Sequence, residues 1–225
     1  MTNSFALADS LAVSDLRVYL SRAARVEDGS VRLIAGSGVL AVYSAIFYPR
    51  GLLDRSDTVL GLRTWAIDIG INFDSVVPIR SLLERLPEVG PGIEISDSPV
   101  TVRLPHPVST VTWSGISPPR GGWVKLEPIA ATVLEQAAQA GIAEVAQTVP
   151  EAVGEQIVTR VRQEVWGRPI AGAEYLGAGS AFGALSLGFL IQANSVAVFQ
   201  SGPWTRLTTA RGHILVRRQP WTLKA

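Results

Sequence analysis

The segment Ser117-Pro118-Pro119-Arg120-Gly121-Gly122-Trp123 holds the residues best suited to recognition. Two prolines restrict its entry, two glycines relax its exit, and one arginine is presented between them. A guanidinium stays protonated and offers five N–H donors in a planar fork. Arg120 therefore fits a phosphate or carboxylate bidentately and makes a poor general base. Trp123, or Trp113 upstream, supplies a wall for stacking. Tyr48-Pro49-Arg50-Gly51 is a second turn that presents an arginine. His213 opens the last strand, where hydrogen bonding is the first expectation and acid–base chemistry the second. His106 lies between Pro105 and Pro107 and reads as a surface loop.

Other chemistries lack their parts. There is no cysteine, which removes thiolate nucleophiles, disulfides and thiolate zinc sites. Two histidines 107 positions apart do not assemble a nitrogen-ligated metal site, and no metal or cofactor is expected. Asp54 and Asp57 have the chemistry to share a magnesium ion with a phosphate, but an aspartate-rich turn is the plainer reading. No nucleophile elbow occurs, because Gly36-Ser37-Gly38 and Gly179-Ser180 lack its spacing. The run Gly177-Ala178-Gly179-Ser180-Ala181-Phe182-Gly183 resembles a dinucleotide fingerprint with one extra residue. Such a loop needs an acid about 20 residues later for the ribose, and no acid follows Glu174.

The elements that position these residues read as α+β. A helix runs from Leu16 to Val26, with Ser14 and Asp15 as its caps and Glu27-Asp28-Gly29 as its end. Two strands flank Gly36-Ser37-Gly38, and a third covers Thr58 to Asp68. A short helix starting near Asp74 or Ser75 places Ile79, Leu82, Leu83 and Leu86 on one side. In the proline-rich stretch 88–126, TVRL, STVTW and GWVKL read as short strands. Helices follow over Ile129 to Val149 and Glu151 to Trp166, the second with Thr148 and Glu151 as a capping box. A meander of FGALSLGFLIQ, VAVFQ, TRLTT and HILVRR closes the chain. The expected organisation is two packed subdomains, 1–126 and 127–225. LIAGSGVLAV near the start and YLGAGSAFGAL near the end suggest an internal duplication with pseudo-twofold symmetry.

With 47% hydrophobic and 17% charged residues the chain has a core to bury. No charge occurs from Tyr175 to Thr205, but its apolar middle is shorter than the ~20 residues a membrane span needs, so sheet core is expected there. The first 26 residues carry Asp9 and Asp15 and no basic region before an apolar run. No secretory leader is expected, and a cytoplasmic location follows. Net charge is +1, although Arg206, Arg211, Arg217, Arg218 and Lys224 give the stretch after Glu174 a formal +5. Arginine supplies 18 of the 20 basic residues. Without an aromatic ladder beside these cations, nucleic acid is not expected as a partner. Trp166, Trp204 and Trp221 suggest an aromatic patch for homodimer formation.

SPPRGGW, AGIAEVAQ, VWGRPI and RGHILVRR together resemble an uncharacterised family of actinobacterial proteins of about this length. The resemblance implies no function. From the residues, the expectation is a cytosolic binding or interaction protein whose ligand-binding side chains are Arg120, Trp123, Arg50 and His213. The alternative is a small enzyme acting on an anionic metabolite through Arg120 and His213.

Overall fold

A computed structural model of the chain describes residues 4–51, 54–88, 97–108, 111–115, 117–148 and 154–218. The fold is α+β. It divides into two units, Met1–Ala45 with Leu62–Ile116 and Ile46–Gly61 with Ser117–Ala225. No helix among the described residues is long and apolar enough to cross a membrane.

The first unit contains β1 (Ser4–Leu7), α1 (Ser10–Val26), β2 (Ser30–Gly36), most of β3 (Val39–Phe47), the end of β4 (Thr58–Ala66), β5 (Phe73–Pro78), α2 (Ile79–Leu83) and β6 (Val100–Arg103). Its main strands lie in the order β5-β2-β3-β4, and β1 pairs with β6. Alternation explains β2: Val31, Leu33 and Ala35 are buried, while Arg32 points outward and binds the carboxylate of Asp74 through two nitrogens. Ser37 and Gly38 join β2 to β3 with φ of 52° and 79°, the two left-handed residues that a tight hairpin turn requires. Val13, Leu16, Leu20 and Ala23 form the buried stripe of α1. On the same stripe Tyr19 donates to the Val42 carbonyl at 3.2 Å and lies 2.9 Å from the Ser44 hydroxyl.

Several boundaries differ from expectation. Helix α1 starts a turn earlier than Ser14, at an Asp9 cap that accepts from the Ala12 N–H at 2.7 Å. Asp15 is instead occupied by Arg63 and by the Trp65 indole at 3.1 Å. The residues from Phe73 to Pro78 are strand, because they pair along β2 from Ala35 to Ser30, and only Ile79–Leu83 is helical. In STVTW, residues 109–110 lie outside the described residues and Thr112–Gly115 forms a 3₁₀ turn.

The second unit contains β7 (Val124–Ala130), α3 (Ala131–Thr148), α4 (Glu155–Gly167), β8 (Pro169–Ile170), β9 (Ala173–Gly177), α5 (Ala178–Ser186), β10 (Ser195–Ser201), β11 (Trp204–Thr209) and β12 (Gly212–Arg217). The order is β7-β10-β11-β12, and β8 pairs with β9. Ile129 and Ala130 belong to β7, so α3 begins after them. The proposed capping box falls away: Glu151 lies outside the described residues, and Gly154 caps α4 without a side-chain bond. The larger correction is FGALSLGFLIQ, which supplies helix α5 and the turns after it instead of a strand. Its glycines are packing positions. A Cβ on Gly179 would stand 3.3 Å from the Trp166 side chain, and one on Gly183 3.2 Å from Ile46.

The two units share a wiring. In each, a strand leading directly into a helix (β5–α2, β7–α3) pairs with the first of three consecutive strands (β2–β3–β4, β10–β11–β12). In each, a second strand and helix (β1–α1, β9–α5) precede those three strands, and a two-stranded ladder completes the set (β1–β6, β8–β9). This supports internal duplication, but not through the segments the sequence suggested. LIAGSGVLAV is the β2–β3 hairpin, whereas YLGAGSAFGAL runs from β9 into α5.

Candidate binding face

The turn carrying Arg120 is built as its composition implies. Gly122 takes a φ of 74°, which a side chain would resist, and the Trp123 indole N–H donates to the Pro119 carbonyl at 3.1 Å. That bond fixes Trp123 where the chain enters β7. The Ser201 hydroxyl at the end of β10 reaches the Gly121 carbonyl at 3.5 Å. Arg120 at the tip is exposed and forms no ion pair with a described residue.

Cross-strand partners share a sheet face, so register defines the surface beside Trp123. Lys125, Phe199, Arg206 and Leu215 form one row across β7, β10, β11 and β12, and Ala197, Thr208 and His213 begin the next. The opposite face carries buried Val198, Leu207, Ile214 and Val216, which are core. In the first row Lys125 is exposed, Phe199 and Arg206 are half-buried and Leu215 is buried.

Arg206 is the centre of this face. Its guanidinium carbon lies 4.5 Å from the Trp123 ring centroid and 4.6 Å from that of Phe199, within range for attraction to both. It pairs with no described carboxylate. Its Nε is buried without a hydrogen-bond partner. Burial lowers its pKa from the ordinary arginine value. His213 sits in the adjacent row with Nδ1 3.0 Å from the Thr208 hydroxyl. Burial, and then the positive charge of Arg206, lower its pKa, which holds the imidazole neutral near pH 7.

The four expected site residues therefore separate. Trp123 touches Arg206, and His213 senses its charge. Arg120 stands on the turn that Trp123 braces. Arg50 belongs elsewhere: its guanidinium lies 5.0 Å from the Tyr48 ring centroid, and its backbone N–H donates to Asp54 at 2.9 Å. Asp54 also accepts from the Ser56 N–H at 2.9 Å, the Ser56 hydroxyl and Gln163 at 2.7 Å. Burial alone would raise its pKa, but these donors outweigh burial and lower it. This carboxylate anchors a loop to α4, alongside an open cleft of about 490 Å³ that Asp57 and Arg160 also line. Trp166 and Trp204, offered as a self-association patch, are 4% and 5% exposed, and Trp166 stacks on Phe182 at 4.3 Å. Trp221 lies outside the described residues.

The sequence reading missed Arg206 and Phe199. One signal was present: the turn at Ser201-Gly202-Pro203 sets a hairpin register that places Phe199 directly opposite Arg206.

The fold is similar to that of the DNA polymerase sliding clamps. The sliding clamp (DNA polymerase III subunit beta) from Bartonella birtlesii, solved bound to griselimycin, superimposes with a TM-score of 0.52 at 10% identity, over 98% of this chain and 66% of that one. The DNA polymerase III subunit beta from Pseudomonas aeruginosa gives 0.49 at 14% identity, over 99% and 66%. That from Thermotoga maritima gives 0.48 at 13% identity, over 96% and 64%. The chain thus spans less than two thirds of the length of these three clamp subunits. By its residues 1–115 the chain belongs to the family described as "Domain of unknown function (DUF8010)", and residues 118–221 match the model described as "Domain of unknown function (DUF8185)". No curated protein matches it.

The clamp likeness corrects two expectations. An enzyme acting on an anionic metabolite through Arg120 and His213 gives way to a clamp-type fold, and the dismissal of nucleic acid as a partner falls with it. Aromatic partners that seemed missing among the late arginines stand beside one of them, Arg206, as Trp123 and Phe199.

Proposed function

We propose that the chain is a non-catalytic, DNA-associated scaffold of the clamp type, working in the cytoplasm. The observation that carries the reading is the fold, matched over 98% of the chain to a sliding clamp at a TM-score of 0.52. It is supported by the face around Arg206, where cations meet aromatic rings and no described carboxylate neutralises the central guanidinium. Arginines serve this role because each presents a permanent charge to a phosphate backbone. The function is holding, not turnover.

Fluorescence anisotropy with a labelled DNA duplex tests it. Saturable binding is expected at low salt, with log affinity falling linearly against log salt by about 0.9 per phosphate neutralised. A flat titration at low salt, at every protein concentration up to the solubility limit, overturns the reading.

A further inference from the structure

The row Lys125–Phe199–Arg206 with Trp123 has features that duplex binding does not use. A duplex presents phosphates and grooves, and its bases are stacked on one another; cations suffice to hold its backbone. Here the cation is coupled to two ring faces. Trp123 is fixed by its bond to Pro119, and Phe199 by its register opposite both Lys125 and Arg206. Arg206 fills the space between them, held by ring contacts instead of a carboxylate. It is therefore positioned before any ligand arrives, and its charge is not cancelled by a described acid.

The surrounding charges have one dominant sign. Arg120 stands on the adjoining turn, Arg217 lies on the Arg206 face opposite Trp204, and Arg211 is in the β11–β12 turn. Strands β10 to β12 and their turns contain no acid, because none follows Glu174. The acid on β7 is Glu127, which is exposed. A polyanion with exposed π faces is complementary to such a surface. Unpaired nucleotides meet that description, since each base offers a ring to stack and each phosphate a partner for a guanidinium.

We propose that this face of β7, β10 and β11 binds single-stranded nucleic acid. Phe199 and Trp123 stack bases, while Arg206, Lys125 and Arg120 hold the backbone. The proposal deepens the DNA-associated reading above and rests on it.

Anisotropy with labelled oligo-dT, run beside the duplex, tests it on the full chain. Three variants are compared: Phe199→Ala removes a ring, Lys125→Glu reverses an exposed charge, and Arg103→Glu reverses an exposed charge in the first unit. Thermal melts establish that each is folded. Phe199→Ala is expected to weaken oligo-dT binding about five- to a hundred-fold, the range for one lost base–ring stack, with a smaller effect on the duplex. Lys125→Glu is expected to weaken both, and Arg103→Glu neither. Unchanged oligo-dT affinity in Phe199→Ala and Lys125→Glu overturns the face and leaves the DNA-associated reading standing. Duplex binding without oligo-dT binding does the same. Equal affinity for polyglutamate and oligo-dT overturns base stacking in favour of simple anion capture. Absence of binding to either DNA overturns both readings.

Discussion

A Cβ added to Gly141 would stand 2.3 Å from the Trp166 ring. Gly141 lies in the middle of α3, where alanine is favoured over glycine by about 1 kcal/mol. The glycine is kept because α4 brings its indole against the α3 backbone, and the same indole stacks on Phe182 of α5. Gly141→Ala is therefore expected to lose about 1–3 kcal/mol despite the propensity gain, from overpacking against a rigid ring. Gly167→Ala, at a position with open space around the new methyl, is the control and should be neutral or stabilising. Urea unfolding of the two variants against the parent decides it. Equal stability for both would remove the packing argument.

Tyr19 gives a prediction at the alkaline end. Burial raises its phenol pKa above the ordinary 10.0, against the smaller opposing effect of the Ser44 hydrogen bond. A group whose folded pKa is raised contributes stability fully below its unfolded pKa and loses it as pH climbs toward the folded one. Stability should then be insensitive to Tyr19 below about pH 10 and fall above it, by up to about 1.4 kcal/mol per pH unit. Tyr19→Phe should remove that slope. At neutral pH the same variant should cost about 1–2 kcal/mol, because buried hydrogen-bonding groups of Val42 and Ser44 lose their partner. Chemical denaturation at pH 7 and above pH 10 separates the two effects.

How much of this was legible in the chain follows from the range of the interactions. The β2–β3 hairpin could be read because Ser37-Gly38 is a local signal for two left-handed residues, and the later strands could be read from their turns. Helix α5 could not. Four glycines in a charge-free apolar run argue against a helix by propensity, yet Gly179 and Gly183 are there for contacts with Trp166, Ile46 and Ile214, made by distant segments. The candidate face divides the same way. Phe199 opposite Arg206 follows from one hairpin, whereas Trp123 against Arg206 requires β7 to pair with β10 across more than sixty residues, through a register shift between Val196 and Val198.

His213 gives the acid-side prediction. Its pKa is lowered from 6.5 by burial first and by the charge of Arg206 second. A depressed folded pKa means stability present above the unfolded value and lost as pH falls below it, since the unfolded chain takes up the proton first. Stability should decline from about pH 6.5 downward by at most about 1.4 kcal/mol per pH unit. His213→Gln, which can still reach Thr208, should flatten that part of the profile. An unchanged decline between about pH 6.5 and 5 would place its origin in groups other than His213; Asp74, whose pKa Arg32 lowers from 3.8, contributes only at lower pH.

Arg206 sets structure and binding against each other. Its guanidinium is partly desolvated, its Nε is buried without a partner, and no described carboxylate offsets the charge. Against that cost stand two ring contacts, each about 0.5–2 kcal/mol depending on desolvation. Replacing the side chain by methionine keeps an apolar stem between Trp123 and Phe199 while removing both the rings' attraction for the cation and the penalty of burying it. The two changes oppose each other, so Arg206→Met should alter stability by no more than about 1 kcal/mol. Its affinity for oligo-dT should nevertheless fall at least as far as that of Lys125→Glu, because the charge it loses is the one held in place before binding. An arginine retained only to pack the sheet predicts the opposite pair of results, a drop of several kcal/mol in urea unfolding with binding intact. Measuring both quantities on the one variant distinguishes a side chain that the fold needs from one that the fold carries for a ligand.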